Sequence, residues 1–237
     1  MILITGASGR VGRRTAELLA DKGHSLRLMV RDPNRAQELS IGQVVQGDYA
    51  EPATLDPAFA EVDSAFIISG YAKPGERALL HKNAIDAATR THVKHLVYLS
   101  FQGASPESKF PMSQDHYQSE QFLKESGISF TVLRDNFYLD LIPEMFDSEG
   151  VMRGSASDGA AAWVAREDVA QVAAAVLSRP NDFRAVYDVT GSEALTMTET
   201  AKRLSALVGR ELRYENESVE EGRKWRSTFG APDWEVD

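Results

Sequence analysis

The chain has no cysteine, which excludes disulfides, thiolate catalysis and Cys-based metal sites. Its five histidines are His24, His81, His92, His95 and His116. None pairs with another at metal-ligand spacing on a readable helix, so no metal is expected. Basic residues are outnumbered, and the net charge of −9 repels phosphate backbones, which argues against nucleic-acid binding. No apolar run approaches the roughly 20 residues of a membrane span, so no membrane partner is expected. Met1–Thr5 begins directly as a strand with no basic region before it, so no leader is expected and the location implied is cytoplasmic. Neither a repeat nor a low-complexity segment interrupts the 237 residues, enough for one large domain with a smaller lobe attached.

Short apolar runs alternate with amphipathic stretches. Met1–Thr5, Leu26–Val30, Gln43–Gln46, Ala65–Ile68, Leu96–Leu99 and Phe130–Leu133 read as strands. Val11, Thr15, Leu18 and Leu19 recur at helical spacing, and Gly23 stops that helix. Ala78–Arg90, Ser113–Ser126 (ended by Gly127) and a stretch marked by Val169, Val172, Ala173, Val176 and Leu177 read as further helices. This alternation predicts an α/β fold, a doubly wound parallel sheet covered on both faces. After about residue 135 the rhythm changes. Phe137–Phe146, Gly150–Ala165 and Leu195–Glu215 form separate pieces, expected to build a small substrate-side lobe over the strand ends. The division is then 1–135 with 166–190 as the core, and 136–165 with 191–237 as the lobe, in one continuous unit. Trp225, Phe229 and Trp234 need burial or a partner, and a helix starts near Asp233.

The first strand runs straight into Thr5-Gly6-Ala7-Ser8-Gly9-Arg10-Val11-Gly12. Gly6 permits a tight turn, Gly9 lets a pyrophosphate approach the backbone, and Gly12 allows close helix–strand packing. The helix start adds free N–H groups and a positive dipole end. Strand, glycines and helix in this order predict a dinucleotide site. Arg31 follows the second strand, where NAD-selective proteins carry an acidic residue. An arginine there grips a 2′-phosphate, with Arg10 as a second cation, so NADP(H) is favoured. Asp32 follows directly and keeps NAD(H) open, and Arg31 also reads as a solvated loop charge.

The chain resembles the NmrA-like family of atypical short-chain dehydrogenase/reductases, which includes NAD(P)H:quinone oxidoreductases. The resemblance rests on the glycine motif, Val30-Arg31-Asp32-Pro33, Gln46-Gly47-Asp48-Tyr49, Val93–Ser100 and Arg166-Glu167-Asp168-Val169-Ala170. It implies that Asp48 caps the adenine amino group with Tyr49 beside it, and that Ile68, Ser69 and Gly70 line the adenosine. Asp48 also reads as a plain turn residue. The usual dehydrogenase plan has a serine and a Tyr-x-x-x-Lys pair. By resemblance Ser100 takes the serine place, while His116 and Glu120 stand where Tyr and Lys would be. Four apart, they share a helix face. That departure weakens alcohol oxidation and suits quinone reduction, where His116, with an ordinary pKa near 6.5, donates a proton. His116 also reads as a helix-surface residue, and Glu120 as half of a surface pair with Lys124.

Asn136 is placed by resemblance beside the nicotinamide, with Phe137, Tyr138, Phe146 and Trp163 as flat walls or as core of the lobe. Glu167 and Asp168 read as helix-start chemistry. The implied function is an NAD(P)H-dependent oxidoreductase acting, as a monomer or homodimer, on quinones or related flat aromatic compounds. A non-catalytic NAD(P) sensor and a tailoring enzyme for aromatic polyketides are the alternatives.

Overall fold

The computed structural model describes residues 1–36, 40–182, 185–228 and 232–236. In chain order the elements begin with β1 (Ile2–Ile4), α1 (Arg10–Ala20), β2 (Leu26–Val30), β3 (Gln43–Gln46), α2 (Leu55–Phe59), β4 (Ser64–Ile67) and α3 (Glu76–Arg90). Then come β5 (His95–Phe101), α4 (Pro111–Glu125), β6 (Ser129–Asp135), β7 (Val151–Gly154), β8 (Ala160–Ala161), α5 (Arg166–Ser178) and β9 (Val186–Val189). The last are β10 (Leu195–Thr196), α6 (Met197–Val208), β11 (Arg213–Asn216), α7 (Val219–Ser227) and α8 (Asp233–Val236).

The chain divides into two compact units, Met1–Asp135 with Arg166–Val189, and Asn136–Ala165 with Thr190–Asp237. The first is a Rossmann-type sheet of seven parallel strands in the order β3-β2-β1-β4-β5-β6-β9. Helices α1 and α5 pack together against one face, and α2, α3 and α4 against the other. Central strands are buried on both faces, which is why Ile2–Ile4 and Ser64–Ile67 read as continuous apolar runs. Leu3, Ile67, Leu96 and Val132 meet Leu55, Phe59, Ile85 and Leu123 in one core. Each such side chain contributes about 2 kcal/mol when fully buried. The order reverses between β1 and β4, so a crevice opens at the carboxyl ends of these strands.

All six strands expected from the sequence are present, within a residue or two of the expected bounds. The seventh, β9, was missed. It is a short edge strand of four residues with Val186, Tyr187 and Asp188 all exposed, too short for a periodic pattern to mark it. Glu167, expected only to favour a helix start, also pairs with Arg14 of α1 at 2.7 and 3.1 Å, clamping α5 to α1.

In the second unit, β7 pairs with β11 in parallel and β8 with β10 antiparallel. Thr196 and Glu199 form a reciprocal cap at the start of α6, each side chain accepting the other's backbone N–H. Ile142, Ala161 and Trp163 are its core, with Phe146 packed against them. The Trp163 indole donates to Thr200 Oγ1 at 3.0 Å within this core, and Phe146 is half-buried at its edge. Trp234 is half-buried, while Phe229 and the Trp225 side chain lie outside the described residues.

Candidate active site

The glycine turn sits at the carboxyl end of β1. Gly6 has φ +58°, a left-handed conformation that a side chain disfavours, and its carbonyl accepts the Gly9 N–H at 2.9 Å. A Cβ on Gly12 would lie 2.5 Å from that carbonyl oxygen, closer than atoms can pack. Gly9 is the N-cap of α1 and supplies no capping side chain, and no acidic residue lies in the first turn. The free N–H groups and positive end of α1 are thus left for an anion.

In front of this turn lies a cleft of about 280 Å³. It brings together Gly6, Ser8, Gly9, Arg31, Asp48, Tyr49, Ser69 and Gly70, which the sequence named for a dinucleotide. Ile68, expected on the adenosine wall, is there too, joined by Met29, Tyr71 and Leu80. The Arg31 side chain is exposed on the cleft and forms no ion pair among the described residues. Asp32 turns away, its carboxylate accepting the Asn34 backbone and side-chain amides at 3.0 Å. Asp48 Oδ1 accepts the Ala50 N–H at 2.9 Å, so it shapes a turn as well as lining the cleft.

Other named residues are not on this surface. Ala7, Val11 and Gly12 are buried, and Arg10 is exposed but outside the lining. Thr5 is a buried junction. Its Oγ1 donates to Phe66 O at 2.8 Å and accepts from Tyr49 Oη at 2.6 Å and Ile68 N at 2.9 Å. It joins β1, the β3 exit and β4 behind the cleft. Burial pushes the Tyr49 phenol pKa up, so Tyr49 stays a neutral donor.

The expected chemical group is arranged differently from the sequence reading. His116 is a core residue of α4, not a helix-surface one, only 5% exposed. Its Nδ1 lies 2.9 Å from Tyr98 Oη, its Nε2 contacts the Arg77 guanidinium, and its ring stacks on Phe101. Burial, Arg77 and His81 hold its pKa well below the usual histidine value. It is a neutral imidazole at neutral pH, which corrects the expectation of an acid titrating near 6.5. Glu120 does not pair with Lys124. It is 1% exposed and binds Arg134 at 2.6 and 2.9 Å. Ser100 Oγ donates to the same carboxylate at 2.7 Å. Asn136 opens the second unit, buried, with Oδ1 accepting the Phe137 N–H at 2.6 Å.

The reading from sequence missed Arg77, His81 and Tyr98. Arg77 and His81 stand four apart on α3 and so share its inner face, and Tyr98 lies mid-strand among apolar residues. A buried tyrosine must find hydrogen-bond partners, and that need was the available signal.

A model of the NAD(P)H-binding family matches residues 6–180. The chain belongs to this NAD(P)H-binding family. Within it, it falls among the NmrA-like, atypical short-chain dehydrogenase/reductases and takes an NAD(P)H cofactor. It is 33% identical to an Escherichia coli NADPH-dependent quinone oxidoreductase solved with NADPH, with a TM-score of 0.89 over 100% of this chain and 86% of that one. The NAD(P)H azoreductase of Xenophilus azovorans is 29% identical over 98% of this chain and 82% of its own length. Citrobacter triphenylmethane reductase, solved with NADP(H), is 28% identical with a TM-score of 0.90, covering 100% of this chain and 86% of that one. The chain is thus an oxidoreductase of this NmrA-like type.

Proposed function

We propose that this oxidoreductase uses NADPH held in the first unit's cleft to reduce quinones, azo compounds or related flat aromatic acceptors. The observation that carries the reading is the commitment of the two dehydrogenase positions. His116 is locked against Tyr98 and Arg77, and Glu120 is neutralised by Arg134. Neither offers the titrating phenol and free cation that carbonyl–alcohol interconversion uses. Reduction of an electrophilic aromatic acceptor needs no such group, because its reduced form takes protons from water. The three relatives described above reduce acceptors of this kind.

In this reading the Gly6–Gly9 turn and the α1 N-terminus hold the pyrophosphate, and Arg31 holds the 2′-phosphate. Asp48 and the Ser69–Gly70 wall border the adenosine, and Leu80 keeps water from one side. When bound, NADPH supplies the hydride. Ser100 and Glu120 act as a rigid buried support. No helix among the described residues is long and apolar enough to cross a membrane.

The test is NADPH oxidation against a naphthoquinone, an azo dye and a simple ketone. Turnover of the first two without the third is expected. Turnover of the ketone alone would overturn the reading, and tight NADPH binding with no turnover would favour a sensor.

A further inference from the structure

The wall of the cleft formed by Ser69 and Gly70 leaves β4 as irregular chain, so its position must be fixed from behind. The fixing atom is on α3. The Gly70 N–H donates to His81 Nε2 at 3.1 Å. A backbone N–H only donates, so Nε2 is an acceptor and the imidazole proton sits on Nδ1. Nδ1 faces Ser119 Oγ at 2.9 Å and Tyr98 Oη at 3.1 Å. Ser119 Oγ gives its own proton to the Asp115 carbonyl at 2.8 Å, so it accepts from His81.

The same argument fixes His116. Arg77 has donors only, so His116 Nε2 accepts from it and Nδ1–H donates to Tyr98 Oη. The phenol oxygen of Tyr98 thus receives the His116 N–H and shares the single His81 N–H with Ser119 Oγ. Arg77 Nη2 also reaches Ser69 Oγ at 3.4 Å. Side chains of α3, α4 and β5 therefore form one buried chain of hydrogen bonds ending on the cleft wall. His81 is wholly buried at its centre.

The geometry points to His81 as a positioning residue for cofactor binding: as the neutral Nδ1–H tautomer it holds the Gly70 peptide and so sets the Ser69–Gly70 wall against the dinucleotide. This rests on the assignment of the cleft to NADPH. A histidine that merely filled the core would not need an acceptor at Nε2.

Two substitutions separate these roles. In His81→Gln the side-chain amide reaches as far as Nε2, and its oxygen can accept the Gly70 N–H. In His81→Asn the amide reaches only the place of Nδ1, keeping a donor for Ser119 but leaving Gly70 unpaired. Loss of this one hydrogen bond predicts about tenfold weaker NADPH binding for His81→Asn. The KM for NADPH should rise by the same factor with kcat held, and His81→Gln should bind within about threefold of wild type. Equal weakening in both variants at equal thermal stability, or an unweakened His81→Asn, would overturn the inference. If neither variant folds, nitrogen-15 NMR of wild-type His81 decides. The Nδ1–H form at neutral pH supports the proposal and the Nε2–H form defeats it. Wild-type protein that does not bind NADPH would instead remove the cleft assignment, and the inference with it.

Discussion

His116 Nδ1 lies 2.9 Å from Tyr98 Oη, and both side chains are buried. The helix position that carries the acid in working dehydrogenases is here part of the structural core. His116→Ala would take one partner each from the buried Tyr98 phenol and the Arg77 guanidinium, leaving them His81 and Ser69, and would open a cavity, and should cost about 2–4 kcal/mol of stability. Urea unfolding measures this. In wild type, the rate of quinone reduction should not titrate with a histidine-like pKa between about pH 6 and 8. A clear inflection there that is lost in a folded His116→Ala variant would restore His116 as the acid.

Acid stability follows from the same cluster. Burial first, and the Arg77 guanidinium second, depress the His81 pKa from 6.5 to about 3. Burial, Arg77 and His81 push His116 the same way. Between 6.5 and about 3 the unfolded chain binds the proton that folded His81 refuses, so stability is full above that window and falls as pH drops through it. Each unit of depression is worth about 1.4 kcal/mol, so the loss amounts to several kcal/mol. Urea midpoints should begin to fall near pH 6, above the carboxylate range, and less steeply in His81→Gln. A midpoint flat from about pH 7 to 5 would contradict the buried, neutral pair.

The glycines of the turn separate function from fold. Gly9→Asp should abolish NADPH binding, because its carboxylate faces the pyrophosphate position. Stability should change by about 1 kcal/mol or less, since aspartate is itself a good N-cap. Gly12→Ala should instead destabilise, because its Cβ would sit 2.5 Å from Gly6 O. Calorimetry and thermal melts on both variants check the contrast. Unchanged NADPH affinity in folded Gly9→Asp would remove the site from this turn.

Arg31→Ala should weaken NADPH more than NADH, since only NADPH carries a 2′-phosphate for the exposed guanidinium. A charge-assisted contact is worth roughly 1.5–3 kcal/mol, so the preference should shift about tenfold or more. Equal losses for the two cofactors would show that Arg31 does not read the phosphate.

What was legible in the sequence was local. Gly6, Gly9 and Gly12 announce their turn because each answers a backbone demand within a few residues, and the apolar runs announce the central strands. The state of His116 and Glu120 was not legible. It depends on Arg77 and His81, Tyr98, and Arg134, brought together by three different elements. Spacing placed His116 and Glu120 on one helix face, but it could not say that the face points inward. Gly70 and His81 are eleven residues apart, and their bond follows only once β4 and α3 are docked.

The central claim is that NADPH in the first unit's cleft reduces an aromatic acceptor. A single-turnover experiment tests it most directly. Wild-type protein is saturated with NADPH and mixed with a naphthoquinone, and the reduced-nicotinamide absorbance is followed in parallel with Gly9→Asp. The account predicts that wild type consumes bound NADPH in proportion to quinone added, while Gly9→Asp does not exceed the uncatalysed rate. NADPH that stays bound and unoxidised in wild type, with both quinone and azo dye, would contradict it.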